Sequence, residues 1–239
     1  MTGICGFVVG RGTEAAPDGL RPMTEALAQA TPGGGRVQSF VGPGVGLAAF
    51  GASDSDSGAA HAEVNAVPVA LVFSGTCFHS REAPPSDPRA ETPAARMLRA
   101  YLDRGLEGLT RGIGETSVAV WAGRTGTLHV ATDRFRIQPI VFAVYGDSFA
   151  FASRMASLRR APGAMRLSIE PESIVDMIGS SIVPSPRTIY REVENPPPAH
   201  LLPRRGDRDE SAPYWDISFA SPSREPERVL ASRLRERLE

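Results

Sequence analysis

The sequence predicts an α+β fold built on antiparallel sheet, and three observations predict it. Four apolar runs, 117–121, 128–132, 140–144 and 149–152, follow one another, with turn signals at Gly123-Arg124-Thr125-Gly126 and Tyr145-Gly146-Asp147. Strands in such meander order pair antiparallel, because a short turn returns the chain alongside itself. Upstream, 37–41 and 45–50 flank Gly42-Pro43-Gly44, a hairpin signal. Helical segments at 20–30 and from residue 91 interrupt the strands. The 239 residues suffice for a full core. Length alone leaves open one large α/β or all-β domain, or two small ones.

Taken in order, residues 3–9 form a short apolar strand that would hold the N-terminus inside the fold. A helix over 20–30 follows Asp18, and the glycine-rich stretch 31–36 is a loop. After the hairpin, 51–62 is small, polar and acidic and reads as exposed loop. The unbroken apolar run 67–73 suits a buried strand, which Ser74-Gly75-Thr76 ends. The proline-rich stretch 83–90 reads as extended. Glu91-Thr92-Pro93 opens a helix, since proline's fixed φ and missing N–H suit the first turn. Met97, Leu98, Tyr101 and Leu102 give that helix one apolar face. Beyond the strand block, 171–178 reads as helix and 194–203 is rich in proline. The last segment, 226–239, is helical, with Leu230, Leu234 and Leu238 recurring at spacing four.

Composition excludes several classes. A formal net charge of -1 leaves no basic footprint for nucleic acid. Every basic residue is arginine, so no lysine can form a Schiff base. Two cysteines, Cys5 and Cys77, make no disulfide framework and are too few for a metal cluster. No apolar run approaches the ~20 residues of a membrane span, and the N-terminus lacks the pattern of a signal peptide. The expectation is a soluble cytoplasmic protein without nucleic-acid or membrane partners.

The chain opens Met1-Thr2-Gly3-Ile4-Cys5-Gly6. This resembles the Met-Cys-Gly-Ile-x-Gly start of amidotransferases whose cysteine, exposed by removal of Met, attacks glutamine. The run Asp133-Arg134-Phe135-Arg136-Ile137-Gln138-Pro139-Ile140, followed by Gly146-Asp147 and Phe151-Ala152-Ser153, resembles a block of the glutamine-hydrolysing asparagine synthetases. That block reads Asp-Arg-x-Gly-Ile-Lys-Pro-Leu, a turn, then Phe-Ala-Ser-Glu. Thr188-Ile189-Tyr190-Arg191, the prolines after it, and Tyr214-Trp215-Asp216 match further motifs of that family in order and spacing. The resemblance covers essentially the whole chain.

It implies the family's N-terminal class II, Ntn-type glutaminase domain: a four-layer αββα sandwich of two antiparallel sheets. The glutaminase-like domain would span 1–220, and 221–239 would be a helix leading towards an absent ATP-binding synthetase domain. ATP and magnesium belong to that absent domain, with no cofactor in this chain. The implied partner is a synthetase domain or a separately encoded synthetase, with a homodimer also possible.

An N-terminal nucleophile needs a free α-amine as its base and a preformed oxyanion hole. Glutamine also needs a cation and an acid, because its two charges are costly to bury unpaired. By resemblance, Thr2 holds the nucleophile position, with a hydroxyl far less acidic than a thiol. Cys5 falls on the opposite strand face and could attack only after loss of residues 1–4; its bland role is a buried apolar residue. Three readings stand: no working nucleophile, Thr2, or Cys5. The family's Asn-Gly-Glu-Ile-Tyr-Asn corresponds to residues 74–79. There Gly75 keeps an oxyanion-hole donor, Ser74 replaces the asparagine amide and Thr76 a carboxylate. His79 is either a base or an ordinary solvated loop histidine. Leu-Gly-His-Arg-Arg-Leu corresponds to 47–52, with Phe50 where arginine would stand. The acid of Ser-Asp-Thr-Glu falls near Thr92, Arg136 replaces a glycine, and Arg154 replaces a glutamate. The expectation is a domain without glutaminase activity that serves as a structural or docking part of an amide- or lactam-forming synthetase. The alternative is an active glutamine amidotransferase or other amidohydrolase.

Overall fold

Strand β1 (Gly3–Val8) is buried on both faces, so it must lie between two layers. Its alternation decides what each face meets. Ile4 joins the core between two sheets, whereas Cys5 and Phe7 join a second core under helices. The computed structural model describes residues 2–10, 18–31, 33–78, 91–163, 165–204, 211–219, 223 and 225–238.

After β1 come α1 (Arg21–Gln29), β2 (Arg36–Gly42), β3 (Val45–Gly51), β4 (Ser57–Val64), β5 (Val67–Phe78), α2 (Pro93–Arg104) and α3 (Leu106–Thr110). They are followed by β6 (Ile113–Ala122), β7 (Thr127–Ala131), β8 (Val141–Tyr145), β9 (Ser148–Ala152), α4 (Met155–Leu158) and α5 (Pro171–Ser180). The order closes with β10 (His200–Arg204), β11 (Ala212–Pro213) and α6 (Glu227–Leu238). One sheet has the order β2-β3-β1-β9-β8, the other β11-β10-β7-β6-β5-β4, and every strand pair is antiparallel.

Three apolar interfaces stack these layers. Ile4, Leu47, Val72, Val130 and Phe151 fill the space between the sheets. Met23 and Leu27 of α1 and Leu158 of α4 cover the outer face of the first sheet, against Cys5, Phe7 and Phe50. Ala94 and Leu98 of α2 cover the second, against Leu71, Phe73 and Val120. Full burial of Phe7, Phe73 and Phe151 contributes about 1.5–3 kcal/mol each. The result is the four-layer αββα sandwich.

Some expectations need correction. The strand block 117–152 is antiparallel but is not one sheet: β6 and β7 lie in one sheet, β8 and β9 in the other. The stretch 51–62 is not all loop, since β4 begins at Ser57 and pairs with β5 along its length. Nor does Ser74-Gly75-Thr76 end β5. Gly75 takes φ +107, open to a residue without Cβ, and pairing with β6 runs on through Ser74↔Ser117, Gly75↔Thr116 and Thr76↔Glu115. The extended segment expected over 83–90, and His79, lie outside the described residues. Helix α6 buries no residue. Among the described residues, no helix is long and apolar enough to cross a membrane.

Candidate functional site

The site is assembled where the start of β1 meets the end of β3 and the middle of β5. In the β1–β3 ladder Gly3 opposes Phe50, Ile4 opposes Ala49 and Cys5 opposes Ala48. Opposed residues share a face, and both Ile4 and Ala49 point between the sheets. Thr2 continues that face by alternation and lies beside Gly51: a Cβ at Gly51 would stand 3.0 Å from Thr2 Cγ2 and would collide with Ser57 Oγ. Ser57 in turn opposes Ser74, which opposes Ser117. Three buried serines therefore form one row across β4, β5 and β6.

The row is unevenly satisfied. Ser117 Oγ donates to the Gln138 carbonyl oxygen at 2.6 Å. Ser74 Oγ is fully buried and has no partner among the described residues. An unpaired buried hydroxyl costs about 1–3 kcal/mol. Gly75 beside it directs its N–H to the Asp56 carbonyl oxygen at 2.7 Å. Its missing Cβ matters, since one would run into the Glu115 carbonyl and stand 2.6 Å from Gln138 Cγ.

Gln138 is delivered by a loop wound around Asp133. The buried Asp133 carboxylate accepts the N–H groups of Phe135, Ile137 and Gln138 at 3.0, 3.1 and 3.0 Å. Arg136 closes the turn at φ +52, a conformation costing about 1–2 kcal/mol in a residue with a Cβ. Its guanidinium reaches Ser185 Oγ and, at 3.1 Å, the Pro196 carbonyl. Tyr214 donates to the Thr132 carbonyl at 2.6 Å, and Trp215 packs edge-on to Phe135 under Arg134. These sequence motifs therefore organise the loop that carries Gln138.

The sequence profile of the glutamine amidotransferase domain matches residues 1–215. This chain belongs to the class II glutamine amidotransferase domain family.

Among solved structures, this amidotransferase domain is similar to glutamine phosphoribosylpyrophosphate amidotransferase from B. subtilis complexed with ADP and GMP. The TM-score is 0.55 at 13% identity, over 89% of this chain and 49% of that one. A structure of the allosteric regulatory enzyme of purine biosynthesis gives 0.56, at the same identity and coverage. These are likenesses of fold. The domain is also 25% identical over 125 residues to amidase chyE of Penicillium rubens, which is 52% of this chain and 18% of that protein. The chain thus spans about half of the solved relatives and under a fifth of the Penicillium protein.

The geometry sorts the positions of the amidotransferase motif. Thr2, Ser74 and Gly75 come together with Gly51, Ser57 and Gln138. Cys5 does not: it faces α1 and α4, fully buried, and burial pushes its thiol up to about 12 against the pull of a Ser157 hydrogen bond. Phe50 is not brought to the Thr2 face either: its side chain packs in that same helix-side core. The motif's second arginine falls on Gly51, which lies on the Thr2 face. Thr76 is exposed, and its carbonyl accepts from Thr116 Oγ1 at 3.1 Å. Thr92 is the N-cap of α2, its hydroxyl accepting the Ala95 N–H at 3.3 Å. Sequence reasoning missed Asp56, Ser57, Gly51 and Gln138. Strict alternation from Ile4–Ala49 would have found Gly51. Ser57 and Asp56 lay hidden in a stretch without apolar periodicity.

Proposed function

We propose that this amidotransferase-type domain does not hydrolyse glutamine. It acts as a structural or docking part of a cytoplasmic, asparagine synthetase-like enzyme that forms amides or lactams with ATP. The observation that carries this reading is the Gly75 N–H held on the Asp56 carbonyl at 2.7 Å. An oxyanion hole stabilises developing charge because its donors are preorganised towards the substrate, and this donor is aimed at the protein's own backbone. Three further features support it. Thr2 offers a hydroxyl in place of a thiol. Gly51, which lies against Thr2, offers no cation to a substrate carboxylate. Cys5 is turned away under the helices, with a thiol that stays protonated.

On this reading ATP and magnesium act in a synthetase domain, of the same polypeptide or a separate one. The docking edge is the apolar side of α6, where Leu230, Leu234 and Leu238 are exposed. The test is complex formation with an ATP-dependent synthetase of the asparagine synthetase type. A complex that Leu230→Asp with Leu234→Asp abolishes supports docking; no complex at micromolar concentration sinks it. One observation favours the rival, an amidohydrolase using Thr2: Ser74 Oγ is a buried hydroxyl with its donor unspent. Ammonia release from glutamine separates the two.

A further inference from the structure

From Ser148 to Ser168 the chain carries four arginines, Arg154, Arg159, Arg160 and Arg166, and no aspartate or glutamate. Such a one-signed stretch stands out in a chain whose formal net charge is -1. Arg159 and Arg160 follow α4 directly and line a cleft of about 530 Å³ between α4 and α1. Ala26, Gln29 and Ala30 line it from the α1 side and Ala156 from α4. Side chains that end at Cβ leave this space open. The helices beneath are fixed: the Ser157 hydroxyl donates to the Met23 carbonyl at 2.8 Å, and Leu27 and Leu158 are fully buried.

We infer that this cleft binds a small polyanion, a molecule whose clustered oxygens carry two or more negative charges, as in a polyphosphate or a polycarboxylate. Charge is the first argument. Elsewhere arginines reach acids: Arg99 pairs with Glu91, Arg187 with Glu172 and Asp176, and Arg191 with Glu170. Neither guanidinium in the cleft has an ion-pair or hydrogen-bond partner among the described residues, and no carboxylate lines it. Glu25, the acid of α1, lies one turn before Gln29 and pairs with neither arginine. The C-terminal ends of the two helices offset roughly half an elementary charge each at most, so two full charges leave a positive surplus. Two neighbouring cations without a counter-charge repel each other, and a shared anion removes that repulsion. Chemistry is the second argument. A guanidinium presents parallel N–H donors that match the paired oxygens of phosphate and carboxylate, and the Gln29 carboxamide adds neutral donors. The volume falls within the range of small-molecule sites, about 300–1,000 Å³. Because α1 and α4 cover the outer face of the first sheet, the cleft is on the side of that sheet away from Thr2. Binding there depends neither on glutamine chemistry nor on docking through α6.

Calorimetric titration of the whole chain with pyrophosphate and, separately, with citrate tests the proposal. The expected result is saturation of a single site by at least one of them, with a dissociation constant below millimolar. The tighter of the two tells whether phosphate or carboxylate oxygens are read. Arg159→Gln with Arg160→Gln should weaken that binding about tenfold or more. Both side chains are exposed, so circular dichroism should stay unchanged. Arg166→Gln with Arg228→Gln removes the same charge outside the cleft and should bind as the wild type does. Failure of both anions to saturate a site, binding that survives the Arg159 and Arg160 change, or an equal loss in the control variant overturns the inference.

Discussion

The Gly75 amide and the Asp56 carbonyl oxygen are hydrogen-bonded at 2.7 Å. The bond joins β5 to the turn before β4, beside Ser74, Ser57 and the Gly51–Thr2 contact. Releasing the amide to a substrate means breaking a bond with a net worth of about 1 kcal/mol and swinging the Asp56 turn away. Such reorganisation removes the advantage of a preformed donor.

Gly75 is required by backbone shape. Gly75→Ala forces a Cβ into the Glu115 carbonyl at φ +107. Denaturant unfolding should show a loss of at least about 2 kcal/mol, from strain and overpacking together. A loss within experimental scatter would mean that β5 adopts another conformation there.

Placing an arginine at residue 51, where the motif's second arginine falls, should fail for a steric reason. Gly51→Arg places its Cβ on Ser57 Oγ and against Thr2 Cγ2, costing about 1–3 kcal/mol as an overpacked site. Adding Ser57→Gly should recover part of that loss, because the two positions share one contact and their effects are not additive. Additive effects in the double-mutant cycle would contradict the contact.

These residues also show what the sequence could reveal. The antiparallel pairing and helices α1, α2, α5 and α6 were legible, because periodicity and turn residues encode them locally; the order of strands within each sheet was not, because contacts distant in the chain set it. The residue beside Thr2 is one position on from Phe50. Phe50 and Gly51 lie on opposite faces of β3, and a shift of one reverses every side chain. The end expected for β5 was wrong because glycine permits a positive φ without breaking the ladder. Ser57 escaped notice because a polar edge strand has no apolar alternation. The outward apolar face of α5, with Val175 70% and Ile178 80% exposed, was also illegible, since a helix wheel states which residues share an arc and not which arc is buried.

The Cys5 thiol predicts alkaline sensitivity. Its ordinary value is 9.0, and burial raises it to about 12 in the fold. Raising an acid's folded value means the unfolded chain ionises first. The Cys5 contribution to stability is therefore fully present below pH 9.0 and is lost progressively as pH rises to about 12. Three units correspond to a loss of up to about 4 kcal/mol. Cys5→Ala should flatten that part of the stability–pH curve. Iodoacetamide at neutral pH should spare Cys5 unless denaturant is present. Rapid labelling of the native protein would contradict the burial.

Thr92 should prove structural. Thr92→Ala removes the cap on the Ala95 amide and should cost about 1 kcal/mol, with Thr92→Asn nearly neutral. A change in ligand binding with stability intact would return Thr92 to the site.

The most direct measurement is glutamate and ammonia release from glutamine by protein whose intact mass shows Met1 removed and Thr2 as the first residue. The account predicts release no faster than the uncatalysed background, unchanged by Thr2→Ala. Turnover above background that Thr2→Ala abolishes would contradict it.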